Sequence, residues 1–260
     1  MTHENELYAE VYGRGPDIVM VHGWGMHTGL WRDLAVQLAE RYRVTCLDLP
    51  GHGRSRMIPD FSIDGLCCAL LNAAPEQAHW IGWSLGATLV IDLAASFPER
   101  VRSIVVMAGN PRFTRNDDWP TGLDSVLLDG MAANLTEDCQ AALLRFLALQ
   151  TAGLPGAKGL FKVLRQRLLE RAPADLHALR GGLEILKTAD VRFAMRRIGC
   201  PALVLLGAKD TLVPVRSGEA MLALCSAAQL RVIDEAGHMP FVSHPKETIA
   251  CLLRFLPRES

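Results

Sequence analysis

Residues 82–86 read Gly82-Trp83-Ser84-Leu85-Gly86, and the stretches on either side decide how this pentapeptide folds. Upstream, 79–81 is apolar and strand-like. Downstream, 85–97 is long, mostly apolar and helical, and Pro98 closes it. A strand, a G-x-S-x-G turn and a helix leave the serine hydroxyl at the tip of a sharp elbow. The two glycines let neighbouring backbone approach where a Cβ would clash. Ser84 is therefore the candidate nucleophile.

Outward from this elbow, short runs rich in Val, Ile and Leu recur at Asp17–Val21, Arg43–Leu47, Val101–Met107, 202–206 and 230–233. They mostly lack polar alternation, as strands covered on both faces do. Helical stretches such as 31–41 and 62–74 lie between them. This alternation predicts an α/β fold with a mainly parallel sheet flanked by helices. It stops near Pro111. From there to about Asp190 apolar residues fall at three- and four-residue spacing: Leu143, Leu144, Phe146 and Leu147, then Leu160, Val163, Leu164 and Leu168. The expectation is a core of residues 1–110 and 191–260 with a helical cap, 111–190, inserted as a lid.

Composition narrows the function. A net charge of −1 argues against a general nucleic-acid binder. The polar, acidic start of the chain has no secretory pattern, and no apolar run is long enough to span a membrane. The 7 cysteines are scattered without a C-x-x-C pair, which suits reduced thiols in a cytoplasmic protein and offers zinc no cluster. Charge within the insert is uneven. Asp117, Asp118, Asp124, Asp129, Glu137 and Asp138 precede a basic stretch of Arg145, Lys158, Lys162, Arg165, Arg167 and Arg171, broken by Glu170. Such a stretch is either a solvated helix face or a docking surface for an acidic partner.

A serine hydroxyl needs a base. His3 lies in the terminal tail, His22 and His52 sit in glycine-rich loops, and His27, His79 and His177 have no supporting motif. His238, in Glu235-Ala-Gly-His-Met-Pro, follows a strand end, where open α/β sheets place their sites. It is preferred over His244. The acid that orients it is Asp210, in the loop after 202–206, in preference to Asp234, which ends its own strand. The chain order Ser84, Asp210, His238 is that of an α/β-hydrolase triad. An oxyanion hole needs two backbone N–H donors: Leu85 is one and Trp24, in His22-Gly-Trp-Gly25, is the expected other.

With Asp48-Leu-Pro-Gly-His-Gly-Arg-Ser55 and Gly207-Ala-Lys-Asp210, these motifs resemble the α/β-hydrolase superfamily over the whole chain. A closer resemblance rests on Trp24 and Trp83, Phe146-Leu-Ala-Leu-Gln-Thr151, Gly181-Gly-Leu-Glu-Ile-Leu-Lys-Thr188 and Phe241-Val-Ser-His-Pro245. It is to the BioH family, pimeloyl-acyl-carrier-protein methyl ester carboxylesterases of biotin synthesis. The resemblance implies a cytoplasmic monomer that uses no cofactor or metal and binds neither nucleic acid nor membrane. It implies an acyl chain lying between core and cap, against Trp24, Trp83, Ser84, Leu85, His238 and the stretch Phe146, Leu147, Ala148, Leu149, Gln150. It also implies an acyl-carrier protein docked through Arg145, Lys158 and Lys162, with lysine at two positions where relatives carry arginine and Ala141 near a place where they carry another. The alternatives are a broad short-chain carboxylesterase, a lactone or carbon–carbon bond hydrolase, and a non-catalytic ligand receptor on the same fold. A haloalkane dehalogenase is disfavoured because its nucleophile would be an aspartate.

Overall fold

The computed structural model describes residues 7–135 and 138–257; His3 and Glu137 lie outside them. Seven strands form one sheet: β1 (Ala9–Tyr12), β2 (Asp17–Val21), β3 (Arg43–Leu47), β4 (Ala78–Trp83), β5 (Val101–Met107), β6 (Ala202–Gly207) and β7 (Ala228–Ile233). Their order across the sheet is β1-β3-β2-β4-β5-β6-β7. All neighbouring pairs are parallel except β1 with β3. The central strands are buried along their length, which is why they read as continuous apolar runs.

Two strands depart from the sequence reading. β1 is an edge strand whose residues alternate between exposed and half-covered, and its mixed pattern hid it. β7, at the opposite edge, alternates between half-covered and exposed residues instead of being buried on both faces.

Helices α1 (Arg32–Leu38), α2 (Ile63–Ala73) and α3 (Leu85–Ser96) fall in the first half. The stretch between β5 and β6 holds α4 (Ser125–Leu135), α5 (Cys139–Thr151), α6 (Ala157–Leu168), α7 (Leu176–Thr188) and α8 (Arg192–Arg197). Last come α9 (Val215–Leu224), the short α10 (Pro240–Ser243) and α11 (Pro245–Phe255). Residues 111–124 are not helical, contrary to the periodicity. They form a loop tied by bridges between Thr114 and Leu123 and between Asn116 and Trp119. No helix among the described residues is long and apolar enough to cross a membrane.

The strand order positions the site. From β2 the chain moves to β3 on one side, then returns to β4 on the other. The carboxyl ends of β2 and β4 therefore flank a topological switch point, where ligands bind in open α/β sheets. Val21 pairs with Gly82, so the loop leaving β2 and the elbow leaving β4 start side by side. α4–α7 pack across these ends. Leu143 and Leu147 on α5 and Leu179 and Leu183 on α7 join the same buried cluster as Trp24 and Leu85.

Candidate active site

Ser84 has φ 56° and ψ −117°, a conformation costly for a residue with a side chain. The structure holds it there. The Ser84 N–H donates to the Met107 carbonyl at 3.0 Å and the Ala87 N–H donates to the Ser84 carbonyl at 2.9 Å, starting α3. Gly86 is required because a Cβ would come 2.4 Å from the Val21 carbonyl oxygen, so α3 could not lie against β2.

The Ser84 Oγ is 3.0 Å from His238 Nε2, and His238 Nδ1 is 2.8 Å from Asp210 Oδ2. The other Asp210 oxygen accepts from the Leu212 N–H at 2.8 Å and the Val213 N–H at 3.0 Å. These two bonds hold the carboxylate in place. As the acceptor from His238 it fixes the proton on Nδ1 and leaves the Nε2 lone pair facing the serine hydroxyl. β6 supplies Asp210 and β7 supplies His238, and the two loops are tied by the Ala208 N–H donating to the Ile233 carbonyl at 3.0 Å and the Lys209 N–H to the Ala236 carbonyl at 2.8 Å. The rejected alternatives fall elsewhere. Asp234 is exposed in a turn, and His244 Nδ1 meets Ser243 Oγ at the end of α10.

The Trp24 loop lies beside the elbow: a Cβ on Gly23 would stand 3.0 Å from the Ser84 Cβ. Among the described residues, neither the Trp24 nor the Leu85 backbone N–H donates a hydrogen bond. The Trp24 indole donates to the Leu179 carbonyl on α7 at 2.8 Å, and its ring meets Phe146 edge-on with centroids 5.2 Å apart. Gly182 on α7 makes this fit possible, since a Cβ there would be 2.6 Å from Trp24 Cδ1.

Trp83 sits differently from the expectation that it lines an acyl channel. Its indole donates to the His238 carbonyl at 2.8 Å, and its ring packs against Trp31, Phe241 and His238. It supports the histidine from behind. Trp31 and Phe241, with centroids 4.4 Å apart, complete that support. Sequence reasoning missed this role because a buried tryptophan carries no motif of its own.

Nor does α5 present residues 146–150 alike. Phe146, Leu147 and Gln150 are buried, Leu149 is intermediate and Ala148 is exposed. A helix turns about 100° per residue, so five consecutive side chains cannot share one face, and Ala148 points away from the site. Both polar atoms of the Gln150 amide lack a partner among the described residues despite burial.

Ser84 and His238 are closed over, 4% and 1% exposed. A groove of about 700 Å³ lies between α4 and α5, lined by Leu127, Met131, Arg145, Phe146 and Leu149 among others. Phe146 lies between this groove and Trp24. Arg145, at the groove, donates to Asn134 Oδ1 at 3.1 Å. Lys158, Lys162 and Arg165 form one exposed stripe along α6, at i, i+4 and i+7, with no ion pair to a described residue. Arg167 and Arg171 instead pair with the core, with Asp33 and Glu10. No group of His, Cys, Asp and Glu among the described residues is arranged to hold a metal ion.

The profile of the alpha/beta hydrolase fold matches residues 16–245. A pimeloyl-[acyl-carrier protein] methyl ester esterase of Methylococcus capsulatus is 41% identical over 96% of this chain and 98% of its own. One of Klebsiella pneumoniae is 38% identical over 93% of this chain and 94% of its own. In fold, an esterase from Exiguobacterium antarcticum superposes with a TM-score of 0.85 at 20% identity, covering 96% of this chain and 94% of that one. The chain belongs to the alpha/beta hydrolase family, among the relatives named as pimeloyl-[acyl-carrier protein] methyl ester esterases.

Proposed function

We propose that this chain is a serine carboxylesterase that hydrolyses the methyl ester of pimeloyl-[acyl-carrier protein] in biotin synthesis, releasing methanol and the free acid. The observation that carries the chemistry is the unbroken relay from Asp210 through His238 to Ser84 beneath an apolar helical layer. The relatives' names carry the substrate. His238 Nε2 takes the hydroxyl proton as Ser84 Oγ attacks the ester carbonyl. The Trp24 and Leu85 N–H groups hold the oxyanion. Asp210 stabilises the imidazolium, which returns its proton to the departing methoxide. A water molecule, deprotonated by the same histidine, then releases the acid and restores Ser84. Every step uses groups of this chain and water.

Residues 111–190 act as a lid in this reading. Its apolar side, with Phe146 and Leu149, suits a seven-carbon chain. Arg145, Lys158 and Lys162 suit an acidic carrier and the phosphate of its phosphopantetheine, and the lack of core ion pairs on the α6 stripe leaves that charge available. A lysine there acts as a point charge without the bidentate fork of arginine.

The test compares carrier-linked methyl pimelate with p-nitrophenyl butyrate. Ser84→Ala is expected to lower kcat on both by about 10⁴–10⁶; retained turnover would overturn the chemistry. Changing Arg145, Lys158 and Lys162 together to Glu is expected to cut kcat/KM for the carrier substrate about tenfold more than for the free ester, by losing electrostatic steering. Equal loss on both substrates would remove the docking role.

A further inference from the structure

Apart from the Trp24 N–H, the motifs His22-Gly-Trp-Gly25 and Asp48-Leu-Pro-Gly-His-Gly-Arg-Ser55 contribute no group to the reaction described above, yet His22, Asp48 and His52 within them are among the most buried polar side chains of the described residues. His22, Asp48 and His52 are 0%, 0% and 1% exposed. The Leu49 N–H donates to His22 Nε2 at 2.9 Å. That bond puts the single proton of a neutral imidazole on Nδ1, which donates to the Gly23 carbonyl at 2.8 Å. Burial pushes the His22 pKa down to about 3, so the ring stays neutral and keeps this tautomer at working pH.

The Gly23 carbonyl and the Trp24 N–H belong to one peptide unit. No cis peptide bond is found among the described residues, so in this planar trans unit the N–H points opposite to the C=O. Pulling the carbonyl toward His22 aims the N–H away from it, and a Cβ on Gly23 would already touch Ser84. The Met26 N–H adds a longer bond to the same carbonyl, at 3.3 Å. A second neutral imidazole holds the next turn of the loop: the Gly25 N–H donates to His52 Nε2 at 3.3 Å, and His52 Nδ1 donates to the Pro50 carbonyl at 2.9 Å. The loop carrying both rings' partners is itself pinned, since Asp48 accepts from the Thr28 N–H at 2.6 Å and the Arg54 N–H at 2.9 Å.

We propose that His22 is a positioning residue for the oxyanion hole: its Nδ1–H holds the Gly23 carbonyl and thereby orients the Trp24 N–H toward the developing charge. This rests on the reading of Trp24 as an oxyanion donor. A hydrogen bond at the carbonyl also polarises the peptide and makes its N–H a better donor. Removing a donor outright lowers kcat about 10²–10³-fold, and misaligning one is expected to lower it less.

Three substitutions separate this role from simple tethering. His22→Phe keeps a ring and loses both bonds. His22→Asn keeps a donor near the Nδ1 position, for Gly23. His22→Gln keeps an acceptor near the Nε2 position, for Leu49. Steady-state kinetics on p-nitrophenyl butyrate and inhibition by butylboronic acid, which forms an anionic tetrahedral adduct on serine, supply the readouts, with melting temperature as a check on folding. The expected result is a kcat loss of about 10–100-fold in His22→Phe with KM within twofold, a matching loss of boronate affinity, and recovery of kcat in Asn but not in Gln. Gln equal to or better than Asn in kcat, a loss carried by KM, an unchanged kcat in His22→Phe, or failure of all three to fold would overturn it. Ser84→Ala, assayed alongside, keeps the two failures apart: turnover there sinks the reading of the site, and a dead Ser84→Ala with the wrong His22 ranking sinks only the positioning role.

Discussion

Around Ser84 the sheet side of the site is fixed by hydrogen bonds, whereas the helical side is fixed by packing. Ser84, His238 and Asp210 come from the ends of β4, β7 and β6, and all three side chains are engaged within 3.0 Å. Opposite them, α5 and α7 offer Leu143, Phe146, Leu147, Leu179 and Leu183, all buried, and the one direct polar link from Trp24 to α7 is its indole N–H. Surface ion pairs also cross the seam, such as Arg32 with Glu170 at 3.0 Å. A pair of that kind is worth about 0–1 kcal/mol, against about 1.5–3 kcal/mol for each fully buried leucine, so the apolar contact holds the layer down. Directional bonds suit groups that must meet a transition state within a fraction of an ångström. Packing is non-directional, so the helical layer can adjust its shape without losing what holds it down.

The sharpest way to break the sheet side is Asp210→Asn. The amide keeps the shape but no longer enforces the Nδ1 proton, so the wrong tautomer faces Ser84. We expect kcat to fall by about 10⁴ with a melting temperature close to that of the parent, measured on p-nitrophenyl butyrate. A loss below tenfold would mean that Asp210 is not the group orienting His238.

On the helical side the matching change is Gly182→Val. The added Cβ would stand 2.6 Å from Trp24 Cδ1 and 3.3 Å from Leu85 Cδ2, so α7 or the Trp24 loop must shift. Overpacking of this kind costs about 1–3 kcal/mol. The expected outcome is a lower melting temperature together with a kcat loss of about tenfold, because the displaced ring sits on the proposed oxyanion loop. If stability falls and kcat does not, the helical layer and the oxyanion loop are mechanically independent.

The same division explains what the sequence made legible. Ser84 and Asp210 follow the buried apolar strands β4 and β6, and His238 follows β7, whose Leu-Arg-Val-Ile end still reads as a strand despite its exposure, so local pattern locates all three. The resemblance places Trp83 in the acyl channel, but its indole partner is the carbonyl of His238, 155 positions away, and nothing local encodes that. His22 read only as a loop histidine because its orienting partner, the Leu49 N–H, arrives from a different strand end. The run 146–150 was read as one lining because the resemblance gives a stretch, while the helix deals its residues to different faces. β1 was missed because an edge strand of four residues has too little buried surface to leave a pattern.

The smallest effect should come from the seam's end, where the chain returns from the helices to the sheet. Asp190 accepts from Arg192 Nε at 2.8 Å and Nη2 at 2.6 Å, and from Arg112 Nη1 at 3.0 Å. The Val191 N–H donates to the Pro111 carbonyl at 2.8 Å, joining the two strands of chain that lead into and out of the layer. The Arg192 guanidinium, opposed by partial burial and aided by Arg112, holds the Asp190 carboxyl down at about 2. A carboxyl lowered in the folded state contributes stability above its unfolded pKa of about 4 and loses it as pH falls toward 2. With the side chain 29% exposed, screening leaves about 1–2 kcal/mol, or a few degrees of melting temperature. Asp190→Asn keeps one oxygen for the Arg192 N–H and removes the charge together with the second acceptor. It should therefore melt a few degrees below the parent at pH 6–7, with the gap closing as the pH is lowered through 4 toward 2.5. A gap independent of pH would mean that the joint is held by its backbone bonds and packing, like the rest of the seam, and that charge has no part in closing it.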